Sequence, residues 1–379
     1  MEPYTLNRNF IKQFVIDGFE SIIWTERYYG DSAVEMVVPA SIEMIQKLPV
    51  GTFLALDQSD EIMILESMTI DKGKLKVSGI SLLPWLDNRF VRTSASHFDE
   101  HWYLEGGTAG WTLWAIVYYM CCVGSPYLNG SVNTGIANPQ QLAIPGLGLR
   151  AYDDTGPIIK VGVPYGPVYK ALKDIATTYE IGMQITLEDV TDTSYFLGFR
   201  DYKGLNRTSA QVVNAPVRFS PQMDSFTDMK DLQSIKDLKT QVYTFAPGLK
   251  PNNETDPVLT TIPGVSILAG PQYTGFDLRA LQKFESDIST DMVGGDPQKV
   301  VEILNSRAYD ELTTHKFVKS VDGEIVPDNQ FKYGVHYYLG DVIEVEGNTG
   351  VVQAARITEY IRSQDSSGEK AYPTVTMIG

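Results

Sequence analysis

Two stretches of β pattern, one near each end of the chain, follow the same plan. The first is VGTFLALD (Val50 to Asp57) with EIMILESMTI (Glu61 to Ile70). The second is LGDVIEVE (Leu339 to Glu346) with GVVQAARITE (Gly350 to Glu359). One constant offset aligns both pairs without a gap: Gly51 falls on Gly340, Leu54 on Ile343, Leu56 on Val345, Met68 on Ile357 and Thr69 on Thr358. A third strand follows each pair, LKVSG (Leu75 to Gly79) and TVTMIG (Thr374 to Gly379), after a longer turn in the second copy. Alternation of apolar and polar residues marks a half-buried strand. The repeat therefore predicts two similar small β-barrels, and three such chains can build a ring of six similar walls.

The region between the copies has another character. The spacing predicts a mainly β chain with α+β insertions, the two barrels being joined by an α+β middle region. The expected divisions are an N-terminal barrel over 1–95, a helical and loop arm with a small α+β domain over 96–215, and a second barrel with inserted loops over 216–379. In the first unit, QFVIDGFESIIW reads as a hairpin about Asp17-Gly18, a dipeptide that supplies positive φ. SIEMIQKLP reads as a short helix capped by Ser41 and stopped by Pro49. WTLWAIVYYMCCVG (Trp111 to Gly124) reads as a buried helix capped by Thr108, and it is too short to span a bilayer, which takes about 20 residues. The segment 99–164 is otherwise a long, aperiodic arm. GPVYKALKDIATTYEIG (Gly166 to Gly182) has the stripe of an amphipathic helix, ended by Gly182. Asp296 and Pro297 open a helix near 297–313, with Val300, Val301, Leu304, Ala308 and Leu312 on one face. FVKSVDGEIVP reads as a second hairpin, about Asp322-Gly323.

Composition narrows the function. The 379 residues are 43% hydrophobic and 21% charged, enough to bury a sizeable core, and the net charge of −16 opposes holding nucleic acid. The two cysteines, Cys121 and Cys122, are adjacent and cannot staple distant segments. No targeting pattern precedes the first strands. His97 and His101 lack the HExxH context of a zinc site. Asp287, Asp291 and Asp296 are spaced too widely for a calcium loop. GLGL (Gly146 to Leu149) lacks the lysine of a phosphate loop, and no GxSxG elbow occurs. With 47 acidic residues the sequence selects no catalytic carboxylate pair. No catalytic, cofactor-binding or metal-binding residue is therefore singled out, and no cofactor is expected. The tyrosine pairs Tyr28-Tyr29, Tyr118-Tyr119 and Tyr337-Tyr338 suit a core, an interface or a sugar groove.

The opening VIDGFESIIWTERYYGDSAVEMVVPAS, its continuation GTFLALDQSDEIMILESMTI with LKVSGISLLPWLDNRFV, and the ending from Tyr333 to Gly379 resemble a family of siphophage tail-tip, or baseplate, hub proteins. These are similar to the trimeric hub of contractile tails and to the N-terminal region of tail-associated lysins. The helix at Gly166 and the RFSPQMDSF segment extend the resemblance. It implies a non-enzymatic homotrimer in the virion tail tip, a pseudo-sixfold ring joining the tail tube to the tip complex. The implied partners are a distal tail protein ring, the C-terminus of the tape-measure protein, and receptor-binding or central spike or fibre proteins. DNA would pass through the lumen without specific binding. A tail-associated cell-wall hydrolase and a carbohydrate-binding adhesin are the alternatives. The hydrolase would carry a catalytic extension, for which no room is expected after the last strand at Gly379.

Overall fold

A computed structural model describes the chain except for residues 92–100, 123–142, 150–154, 192–193, 224, 248–260, 268–272, 286–287, 289–295, 326–329, 347–351 and 379. His97, Asp287 and Asp291, and parts of the 99–164 arm, lie outside the described residues. The chain divides into two compact units. One comprises Met1–Ala95, Glu100–Asp231 and Ser320–Gly379; the other is built from Leu232–Lys319.

The first unit is organised by a 13-stranded sheet. Five strands of the N-terminal region lie in the order Ser21–Arg27, Ala33–Pro39, Lys74–Ser81, Met63–Asp71, Phe53–Leu56. Five strands of the C-terminal region repeat that order: Phe226–Ser234, Val318–Ile325, Gly368–Met377, Val352–Asp365, Val342–Glu346. The repetition extends to single hydrogen bonds. Gly51 donates its N–H to the Leu65 carbonyl at 2.7 Å, and Gly340 donates to the Ile357 carbonyl at 2.8 Å. Leu65 N–H returns to Thr52, and Ile357 N–H returns to Asp341. Both glycines lie at positive φ, +86° and +91°, where a side chain is strained. A bulge follows each acceptor, between Leu65 and Ser67 and between Ile357 and Glu359.

The expected alignment needs one correction. Gly51 on Gly340, Leu54 on Ile343 and Leu56 on Val345 agree with the hydrogen bonding, and those four apolar side chains are fully buried. In the second strand, however, Leu65 rather than Met68 is the counterpart of Ile357. The connection before that strand is longer in the second copy, so a gapless alignment slips there.

Two hairpins are also corrected. After the turn at Gly18 (φ +70°) the chain passes from the edge strand Lys12–Val15 to Ser21–Arg27, which pairs with Ala33–Pro39 and Val352–Asp365 instead. Asp322-Gly323 lies within one continuous strand, Val318–Ile325. Neighbouring strands supply the ladder at both places, so a turn-prone dipeptide does not decide the pairing.

The two copies surround separate cores. Trp24, Met36, Leu54, Leu65 and Val77 fill the first, and Phe219, Ile343, Val345, Ile357 and Val375 the second. No closed barrel is formed among the described residues; the strands of both regions belong to one continuous sheet. A third core is built by the middle segment. Thr108 caps the helix Ala109–Val117 by accepting from Trp111 N–H at 3.1 Å, and Leu113 and Ile116 are fully buried. The helix Val168–Thr178 packs there through Val168, Leu172 and Ala176. It ends before Gly182, because Glu180 takes the left-handed conformation (φ +55°) and turns the chain into the strand Gly182–Thr191. Ser41 caps the short helix Ile42–Lys47 as expected.

The second unit pairs Gln241–Pro247 antiparallel with Thr261–Ile267 and parallel with Ala280–Phe284. Its helix, Pro297–Thr314, starts where Asp296 accepts from Gln298 N–H at 2.9 Å. Val300, Leu304, Ala308 and Leu312 are buried, and Thr244 ties the sheet to the helix by donating to the Leu304 carbonyl at 2.9 Å.

Candidate functional site

The chemistry of the first unit concentrates where the two repeated strand sets meet. Ser21–Arg27 lies antiparallel to Val352–Asp365, with Glu26 opposite Tyr360 and Trp24 opposite Arg362. Carboxylate and guanidinium are brought together across this seam: Glu26 and Arg362 approach to 2.9 Å, both nearly sealed from solvent. Taking both charges out of water is costly, and hydrogen bonds to their remaining polar atoms offset part of that cost. Tyr333 supplies one such contact by donating to the second Glu26 oxygen at 3.2 Å. The Tyr333 and Tyr360 rings stack at 3.7 Å, and the Arg362 guanidinium lies 5.1 and 4.8 Å from their centroids. Such placement gives a cation the negative faces of two rings.

Tyr28 is the second tie. It follows the N-terminal strand in sequence, yet its fully buried ring belongs to the C-terminal core. Its N–H donates to Thr358, and its hydroxyl lies 3.2 and 3.3 Å from the carbonyls of Glu180 and Tyr202. Arg356 sits 5.4 Å from the ring, donates to the Gly340 carbonyl at 3.0 Å and pairs with Glu180 at 3.2 Å. Asp341 receives Arg207 at 2.6 Å and the N–H groups of Leu205 and Tyr338. Glu344 accepts from two Arg218 nitrogens, Nη2 at 2.8 Å and Nε at 2.9 Å. Its burial raises the carboxyl pKa, but the hydrogen bonds from Ser209 and Arg218 outweigh that and hold it below the usual value. Three parts of the chain are thereby locked together.

Beside this seam lies a polar cleft of about 340 Å³, bordered by Glu26, Glu61, Arg200, Tyr202, Tyr338 and Arg362. Glu61 is only 3% exposed and bridges to Thr186. Burial, reinforced by the Glu26 carboxylate and opposed by Ser32, Gln184 and Arg200, raises its pKa to about 8. At neutral pH the carboxyl is mostly protonated. Gln184 meanwhile accepts two hydrogen bonds from the Arg200 guanidinium, one of them from Nε at 2.9 Å.

This arrangement has the materials of a structural joint: matched charges, stacked rings and a neutral carboxyl. Among the described residues no group of three or more His, Cys, Asp or Glu side chains could hold a metal ion, and no helix is long and apolar enough to cross a membrane. Asp296 serves as a helix cap, and Gly146 precedes a short strand, Leu147–Leu149. Tyr28 and Tyr337 are fully buried in the C-terminal core. Sequence reasoning missed the Glu26–Arg362 pair and Glu61; the alternation of the strands marks where they lie but not which long-range partner they meet.

The fold is one that phage tail proteins use. The 43 kDa tail protein of prophage MuSo2 from Shewanella oneidensis is similar at a TM-score of 0.54 and 11% identity, covering 99% of this chain and 98% of that one. A tail protein from Neisseria meningitidis MC58 is similar at a TM-score of 0.52 and 12% identity, covering 100% and 96%. No curated protein is similar to the chain by sequence. The chain belongs to the family of Siphovirus ReqiPepy6 Gp37-like proteins, whose model matches residues 2–375.

Proposed function

We propose that the chain is a structural hub subunit of the siphovirus tail tip. Three copies form a ring in which the two repeated strand sets alternate, each acting as a small barrel-like wall segment, so that a threefold assembly presents six similar walls. The observation that carries this reading is the matched hydrogen bonding of Gly51 with Leu65 and Gly340 with Ile357, each followed by a bulge. A sixfold tube and a threefold tip can be joined by a subunit that displays one surface twice, because closed rings need complementary, repeated interfaces. The net charge of −16 suits a channel through which DNA slides without being held.

In this reading the ring contacts a distal tail protein ring, the tape-measure C-terminus, and receptor-binding or spike proteins, and its role is mechanical rather than catalytic. The test is sedimentation of the purified chain together with labelling of intact tails. A trimer that localises to the tip supports the proposal. A stable monomer that is absent from virions contradicts it.

A further inference from the structure

The first unit holds a second cavity, opposite in character to the polar cleft. Its volume is about 250 Å³, and its walls include Phe53, Ile64, Leu86, Leu147 and Leu197, all buried. An apolar cavity of about 150 Å³ already takes a benzene ring. This one suits an indole or a branched aliphatic group and is too small for a long acyl chain.

Two independent features mark it as a built site. The first is Phe10, which completes the wall with φ at +62°, a conformation that bulky side chains rarely adopt. The turn that holds it is fixed by Asn7. Its side-chain oxygen accepts from the N–H groups of Asn9 and Ile11 at 2.9 and 3.0 Å, and its carbonyl accepts from Phe10 N–H at 2.9 Å. The Phe10 ring reaches Phe53 at 5.5 Å and passes so close to Gly146 that an added Cβ would stand 3.0 Å away. The second feature is Arg8. It is exposed at the cavity mouth with its guanidinium 4.9 Å from the Phe53 centroid. Among the described residues it has no hydrogen-bond or ion-pair partner. In a chain with 47 acidic residues, an arginine left without one at the edge of an apolar hole is set for a carboxylate from outside.

We propose that this pocket receives an aromatic or branched aliphatic side chain of a partner protein, whose neighbouring carboxylate pairs with Arg8. A rigid apolar pocket with one charged group at its rim has the anatomy of an interface hot spot. The volume fits a single side chain, and the free cation sets the charge of its neighbour.

The test uses the full chain with isotope-labelled methyl groups and N-acetyltryptophan as probe, beside N-acetyltryptophan amide and decanoate. The acid should shift the methyl resonances of Ile64 and Leu197. The amide should bind roughly tenfold more weakly, the scale of one charge-assisted hydrogen bond. Arg8→Gln, an exposed change, should remove that difference, and Ile144→Trp at the rim should block both probes. Absence of binding, or equal binding of acid and amide, overturns the proposal. Decanoate binding more tightly than the acid would assign the pocket to a free amphiphile and overturn it. Self-association of the chain that Arg8→Gln abolishes would assign it to a second copy, with the same consequence.

Discussion

Tyr28 and Gly340 are fitted to one another so closely that a Cβ on the glycine would stand 2.3 Å from the tyrosine ring. The contact joins the residue that follows the N-terminal strand to the glycine near the start of the C-terminal copy. It also separates two positions that are otherwise equivalent. Gly51 shares the backbone conformation of Gly340, but a Cβ there would meet only the tip of Arg8, at 3.4 Å.

Gly340→Ala should therefore be the costlier change. Left-handed strain and overpacking against Tyr28 together predict a loss of about 2–5 kcal/mol. Gly51→Ala bears the strain alone, at about 1–2 kcal/mol. Urea denaturation of both variants checks the ordering, and equal losses would show that Tyr28 is not sealed against Gly340.

The Glu26–Arg362 pair should behave as a buried joint. Arg362→Ala leaves a carboxylate among stacked tyrosines and should cost about 3–5 kcal/mol. Replacing both together, by Glu26→Gln and Arg362→Met, should recover much of that, because no uncompensated charge remains. A double-mutant cycle by thermal unfolding, built from Glu26→Gln, Arg362→Met and the two together, measures the coupling; additive losses would deny it.

How much of this was legible beforehand depends on the range of the interaction. The capping of Thr108, Ser41 and Asp296 is local chemistry, and each occurs as the sequence predicts. The apolar pairs Leu54 with Ile343 and Leu56 with Val345 were readable from alternation. The register of the following strand was not, because a longer connection shifts the counterpart of Ile357 from Met68 to Leu65 without disturbing the apolar pattern. The joint itself was invisible: nothing near Glu26 in sequence announces an arginine 336 positions later, since that contact is set by the pairing of Ser21–Arg27 with Val352–Asp365.

Glu61 predicts a pH dependence of defined sign. Its folded pKa of about 8 lies above that of a carboxyl in the unfolded chain, about 4.3, so the folded state holds the extra proton between those limits. Stability should fall as pH rises from about 5 to 8 and level off above, since the unfolded state binds fewer protons across that window. Glu61→Gln, which imitates the neutral form, should flatten this part of the profile. Unfolding curves at several pH values for both proteins provide the check. An unchanged slope in the variant would assign the dependence to another group.

The central claim is that one chain supplies two equivalent walls, and electron cryomicroscopy of the assembled tip tests it most directly. The reconstruction should contain three copies, with the segment from Gly51 to Leu65 and the segment from Gly340 to Ile357 alternating around the axis at similar radius. A ring lined by only one of these segments, or one built from six copies, would contradict it.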